Sequence, residues 1–183
     1  MNLKNALFII LLFFSFNTEL FSQEVDSSYI EVETNYSISK LINTLKINTF
    51  KQSTFDISLL VWNDIPKLLA YGGSTLIITN FPRNPLSSYC LKECKLGIIM
   101  LWLVEAIRLN EGKSSYNPFK RYASLNPILS AKGQKTITSE NNTLEFLKIS
   151  YEAYKKWWSE ANLIGKDKAK NINPLAETGL RWR

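Results

Sequence analysis

The side chains able to carry chemistry are few, and their spacing limits what they can do. Cys90 and Cys94 are the two cysteines, four residues apart. On one helix face they would stand about 5–6 Å apart, beyond the roughly 3.5–4.5 Å that a disulfide allows between Cβ atoms. A bridge requires the helix to start at or after Cys90; otherwise the pair are packed thiols. Two thiols are too few for a closed zinc site, and the spacing is not C-x-x-C. Glu105 and Arg108, three residues apart behind an apolar run, allow two readings. One is an ion pair at the rim of the core. The other is a cleft-facing general acid whose pKa burial has raised, as in glycosidases. That second reading needs another carboxylate, and position selects none of Glu93, Glu111, Glu152 and Glu160. Ser87 and Ser88 have no base nearby and read as capping residues.

Aromatic and cationic residues supply the remaining candidates. Tyr151, Tyr154, Trp157 and Trp158 lie beside Lys155 and Lys156, and Trp182 closes the chain. Rings at helical spacing read first as core; exposed, the same rings would stack on sugars. Arg83, Arg181 and Arg183 sit among turn residues and aromatics and are the charged contacts expected to meet a partner.

Composition excludes much else. None of the 183 residues is histidine, which removes Ser-His-Asp and Cys-His hydrolases, His-ligated zinc and His-ligated haem. Gly72-Gly73 lacks the phosphate-loop spacing and no metal motif occurs, so no cofactor is expected. Lys and Arg total 22 against 16 acidic residues, a formal charge of +6, which favours acidic surfaces on membranes, glycans or proteins. With no arginine-rich run and no RNP-like motif, nucleic acid is not an expected partner.

The elements that must hold these residues follow from patterning. Lys4, the apolar run Leu7–Phe14 and the polar residues after it have the layout of a secretory signal peptide, with cleavage expected between Phe21 and Glu24. The run is too short to span a bilayer. Residues 1–23 are therefore read as a signal peptide, 24–35 as a flexible mature start and 36–183 as one helical domain without a membrane span. Removing residues 1–23 takes Lys4 and Glu19, leaving the charge at +6. Apolar spacing predicts a helix over 36–45, extending weakly to Phe50, and a second from Asp64, capped by its carboxylate, to Gly72-Gly73. Residues 75–81 read as a short strand or extended segment. A long helix is predicted over 86–109, apolar on all sides over 96–104, with Gly97 admitting a close neighbour. Four Asn-Pro pairs, at 84, 117, 126 and 173, read as helix or turn starts, including a short helix at 127–132. Asn142 with Glu145 has capping-box spacing for a helix over 143–160. Leu175, Leu180 and Trp182 are placed to pin the tail to the body.

The segments NDIPKLL (63–69), IITNFPRNPLSSY (77–89), LWLVEAIR (101–108), LNPIL (125–129), YEAYKKWW (151–158) and NPLAETGLRW (173–182) resemble a family of short exported bacterial proteins of unknown function. The likeness covers roughly residues 36–183 and implies export, a mostly helical domain and no recognised catalytic residues. The DIP-LL helix followed by the apolar helix also resembles one HEAT-type pair. The expected fold is all-α, an irregular array of four to six helices around 96–104 with at most one short strand or hairpin. The expected role is a non-enzymatic exported protein, periplasmic or extracellular, that binds an envelope or surface protein. The alternative is a glycan-binding module or hydrolase using Trp157, Trp158 and Glu105.

Overall fold

The computed structural model describes residues 37–89, 91–110, 122–138 and 141–183. The expected leader, the mature start, Cys90 and the Asn117-Pro118 pair lie outside the described residues. Residues 36–183 form one compact unit.

The core is built on α3, Leu96–Asn110, in which every residue from Leu96 to Arg108 is buried. A helix apolar on all sides can be stable only when other elements enclose it. Its neighbours are α2, Ile65–Leu69, which buries Ile65, Leu68 and Leu69, and α4, Leu144–Ile164. A further helix, α1, Ile38–Lys46, buries Ile38, Leu41, Ile42 and Leu45 and packs on α2. Single 3-10 turns at Gln52–Thr54, Ile57–Leu59 and Trp62–Asp64 link α1 to α2.

The expectation of an all-α fold is overturned by four strands in two separate antiparallel sheets. Strand β1, Ile77–Ile78, pairs with β2, Cys94–Lys95. Strand β3, Leu129–Ala131, pairs with β4, Leu180–Trp182, with Ser130 opposite Arg181. The fold is mixed, though mostly helical. Strands of two or three residues are too short to display a period of two, and the partners of β3 and β4 are separated by some fifty positions of sequence. The helix expected at 127–132 is β3, and the tail does pin to the body, by pairing with it.

The long helix starts at Leu96, ten residues later than patterning predicts. The amides of Leu96 and Gly97 donate to the carbonyls of Leu76 and Ser74, at 2.8 and 2.9 Å, so the segment between α2 and β1 satisfies the first donors of α3. Residues upstream pair with β1 or form turns. Gly97 is held against backbone: a Cβ there would lie 2.5 Å from the Gly72 carbonyl oxygen. The close approach foreseen for Gly97 is therefore made by the turn after α2 rather than by a helix flank.

Two caps also differ from expectation. Asp64 accepts the Val61 amide at 3.1 Å and does not cap α2 with its side chain. Thr143, not Asn142, caps α4, its hydroxyl accepting the Phe146 amide at 3.1 Å. Asn142 is left-handed, with φ 55°, and its amide group serves elsewhere.

Candidate functional site

Beneath the surface, the polar residues singled out by sequence assemble into one closed network. Glu105 on α3 is 5% exposed and Arg108 is buried with it. Arg108 Nε and Nη2 donate to the two carboxylate oxygens at 2.8 and 2.7 Å, the bidentate geometry that makes arginine pairs strong. Tyr154 of α4, fully buried, donates its hydroxyl to the same carboxylate at 2.8 Å. Trp182 Nε1 of β4 donates to the Tyr154 oxygen at 2.9 Å. Arg108 Nη1 reaches the Lys170 carbonyl at 2.6 Å, beyond α5, Lys166–Ala169. Trp157 donates to the Ala169 carbonyl at 3.0 Å. The chain Trp182–Tyr154–Glu105–Arg108–Lys170 thus ties α3, α4, α5 and β4 together.

The electrostatics of this network point the same way. Burial pushes the Tyr154 phenol well above its usual range, and the neighbouring Glu105 charge pushes it further. Burial, the largest single influence, lowers the Arg108 pKa, but its hydrogen bonds to Glu105 and the charge of that carboxylate together outweigh it and leave the pKa raised. Phenol and guanidinium both keep their protons, and the carboxylate faces three donors. Of the two sequence readings for Glu105 and Arg108, the geometry is that of the ion pair.

The aromatic cluster is mostly core. Trp157 is 3% exposed, with Trp62, Tyr154 and Trp158 rings at 5.7, 6.2 and 6.0 Å between centroids. Trp158 is half-buried. Cys94 is a buried free thiol whose pKa burial pushes up to about 12. A thiol with that pKa is a poor nucleophile at neutral pH. The other member of the expected pair, Cys90, falls outside the described residues.

An open cleft of about 410 Å3 lies elsewhere. On one side stand Ile77 of β1, Leu91, Glu93 and Lys95; on the other stand Ile128, Ile137, Thr138 and the two asparagines 141 and 142; Tyr89 borders it and Cys94 lies at its base. Its size falls in the range of roughly 300–1,000 Å3 typical of ligand sites. Ile77 and Tyr89 are 44% and 46% exposed. The cleft's far wall is built by Asn142, whose left-handed backbone suits asparagine. Its Oδ1 accepts the Leu129 amide at 2.7 Å and its Nδ2 donates to the Pro127 carbonyl at 2.9 Å. Lys95 Nζ crosses the cleft to the Asn142 carbonyl at 2.7 Å. Asn141 donates to the Leu129 carbonyl at 3.1 Å and accepts the Thr138 amide at 2.7 Å.

Of the three arginines expected to meet a partner, Arg83 and Arg181 are exposed, and all three donate to carbonyls in or near the walls of this cleft. Arg83, over the Phe81 ring at 5.1 Å, donates to the Leu91 carbonyl at 3.1 Å. Arg181 and Arg183 donate to the carbonyls of Gln134 and Lys135, at 2.9 and 2.8 Å, holding the loop that carries Ile137. Sequence reasoning missed the cleft residues Ile77, Tyr89, Ile137 and Asn141, and treated Asn142 as a cap. The one signal available was at Ile137, an apolar residue in a polar, turn-rich stretch with no helical stripe to absorb it.

Among the described residues no cluster of three or more His, Cys, Asp or Glu is placed to hold a metal, and no helix is long and apolar enough to cross a membrane. A family described as a domain of unknown function, DUF4943, matches residues 33–183, and the chain belongs to that family. No curated protein and no solved structure matches it.

Proposed function

We propose that this member of the DUF4943 family is a non-enzymatic exported protein that binds another envelope or surface protein through the cleft between the β1–β2 sheet and the 128–142 segment. The observation that carries the reading is the contrast between two regions. The chemically capable core residues Glu105, Arg108 and Tyr154 are buried and joined through hydrogen bonds to the Glu105 carboxylate. The open cleft instead presents Ile77, Tyr89 and Leu91 together with charged Glu93 and Lys95 and polar Thr138 and Asn141, the mixture of apolar and polar groups found where a protein segment docks. Export rests on the leader-like residues 1–23, outside the described structure. Glu105 lines neither this cleft nor the smaller cavity of about 30 Å3 beside Arg83.

The test is photo-crosslinking in the producing cell. With a photoreactive residue replacing Ile137, one recurrent protein adduct should form, and the same residue at exposed Val61 on the α1–α2 connection should not give it. Equal labelling from both sites, or none from Ile137, would overturn the reading.

A further inference from the structure

The polar groups of the cleft are nearly all engaged with one another, and one charge is left over. Asn142 uses its amide oxygen on Leu129 and its amide nitrogen on Pro127. Asn141 accepts the Thr138 amide and donates to the Leu129 carbonyl and the Gln134 side chain. The Thr138 hydroxyl accepts from Gln134 at 3.1 Å. Lys95 is held across the cleft by its bond to the Asn142 carbonyl. Glu93 is the exception: it lines the cleft, is exposed, and among the described residues its carboxylate has neither a hydrogen-bond nor an ion-pair partner.

The apolar surface beside that carboxylate is spaced for an extended chain. Ile77 stands directly opposite Lys95 in the β1–β2 register. Continuing the register to Glu93 puts it on the same face as both, with Ile77 its diagonal neighbour at about 7–8 Å; all three line the cleft. Side chains on one side of an extended segment recur about every 7 Å, so a segment lying along this face can set one residue on Glu93 and the next but one on Ile77. Covering Ile77, which is 44% exposed, also draws Glu93 out of water, and a carboxylate desolvated without a counter-charge opposes binding. A basic side chain there removes that penalty. An acidic one is repelled by Glu93 and finds the Lys95 ammonium already held by Asn142. We infer that the cleft takes an extended protein segment in which a lysine or arginine meets Glu93 and an aliphatic residue two positions away packs on Ile77. The inference rests on the cleft being the docking site proposed above.

The test is selection of random heptapeptides displayed on phage against the full chain and against its Ile77→Ser and Glu93→Lys variants. Both positions are exposed, so the circular dichroism spectra of the variants should match the parent. Peptides recovered on the parent and not on Ile77→Ser should carry lysine or arginine two positions from isoleucine, leucine or valine. On Glu93→Lys that basic preference should give way to aspartate or glutamate. For one such peptide made synthetically, Glu93→Gln should raise the dissociation constant roughly fivefold, the upper end for a solvent-accessible ion pair. Recovery of no peptide that depends on Ile77 would overturn docking at the cleft and this inference with it. Peptides that depend on Ile77 but lack a basic position, keep it on Glu93→Lys, or bind Glu93→Gln as tightly as the parent would overturn the inference alone and leave the cleft a docking site.

Discussion

Glu105 shows how a residue type can mislead and how its surroundings decide. A carboxylate behind an apolar run has the makings of a general acid, yet here it accepts from Arg108 on both oxygens and from Tyr154 on one. Breaking a buried pair strands the remaining charge. Glu105→Ala should therefore cost about 3–5 kcal/mol, whereas Tyr154→Phe, which leaves the Trp182 indole donor without its acceptor, should cost about 1–3 kcal/mol. Denaturant unfolding of the two variants checks the order. A Glu105→Ala protein as stable as the parent would contradict the keystone role. Cys94 makes a prediction about pH. Its thiol ionises near 9.0 when unfolded and about 12 when folded, so above the lower value the unfolded chain releases a proton that the folded chain keeps. The thiol's contribution is complete below pH 9.0 and is lost as pH rises towards 12,. The stability gap between the parent and Cys94→Ala should shrink or reverse over that window; a constant gap would show that the thiol is not shielded. Both residues were visible as candidates in the sequence. The Glu105–Arg108 ion pair was one of the readings there too; the Tyr154 bond to Glu105 and the Asn142 and Pro127 contacts of Cys94 were not, because those partners lie some 30 to 50 positions away.

Among the elements, α1, α3 and α4 were legible because each buries a run or a stripe of apolar side chains that is long relative to a helical turn, and the five-residue α2 because a glycine pair follows it as a stop. What misled were ends and small pieces. Leu86 to Lys95 has enough helix-compatible residues to extend α3 backwards, but Cys94 and Lys95 pair with β1, and the first α3 amides bond to the Leu76 and Ser74 carbonyls instead. Asn142 before Glu145 imitates a capping box, yet Thr143 lies one residue nearer the helix and takes the cap, freeing Asn142 to hold the cleft wall. At Gly97 two effects oppose each other: alanine would improve helix propensity by about 1 kcal/mol, but its Cβ would stand 2.5 and 2.8 Å from the Gly72 and Ser74 carbonyl oxygens. These are backbone atoms that carry the α3 start, so sterics win. Gly97→Ala should lower stability by about 1–3 kcal/mol, read as a fall in melting temperature. A rise would mean that the α2–α3 turn is free to move.

Across the molecule, a closed polar chain joins α3, α4, α5 and β4, and an open cleft lies between the β1–β2 sheet and residues 128, 137, 138, 141 and 142. The same arginines that sequence nominated as contacts serve the cleft indirectly, Arg83 through Leu91 and the terminal pair through Gln134 and Lys135. Division of labour between scaffold and cleft is the central claim. It is tested most directly by measuring the yield of the Ile137 photo-adduct in two further backgrounds, Tyr154→Phe and Tyr89→Ala, each at a temperature where circular dichroism shows the protein folded. Tyr154→Phe should keep the adduct near the parental yield and Tyr89→Ala should lose most of it. A folded Tyr154→Phe protein without the adduct, beside a Tyr89→Ala protein that retains it, would contradict the claim and move the site into the core.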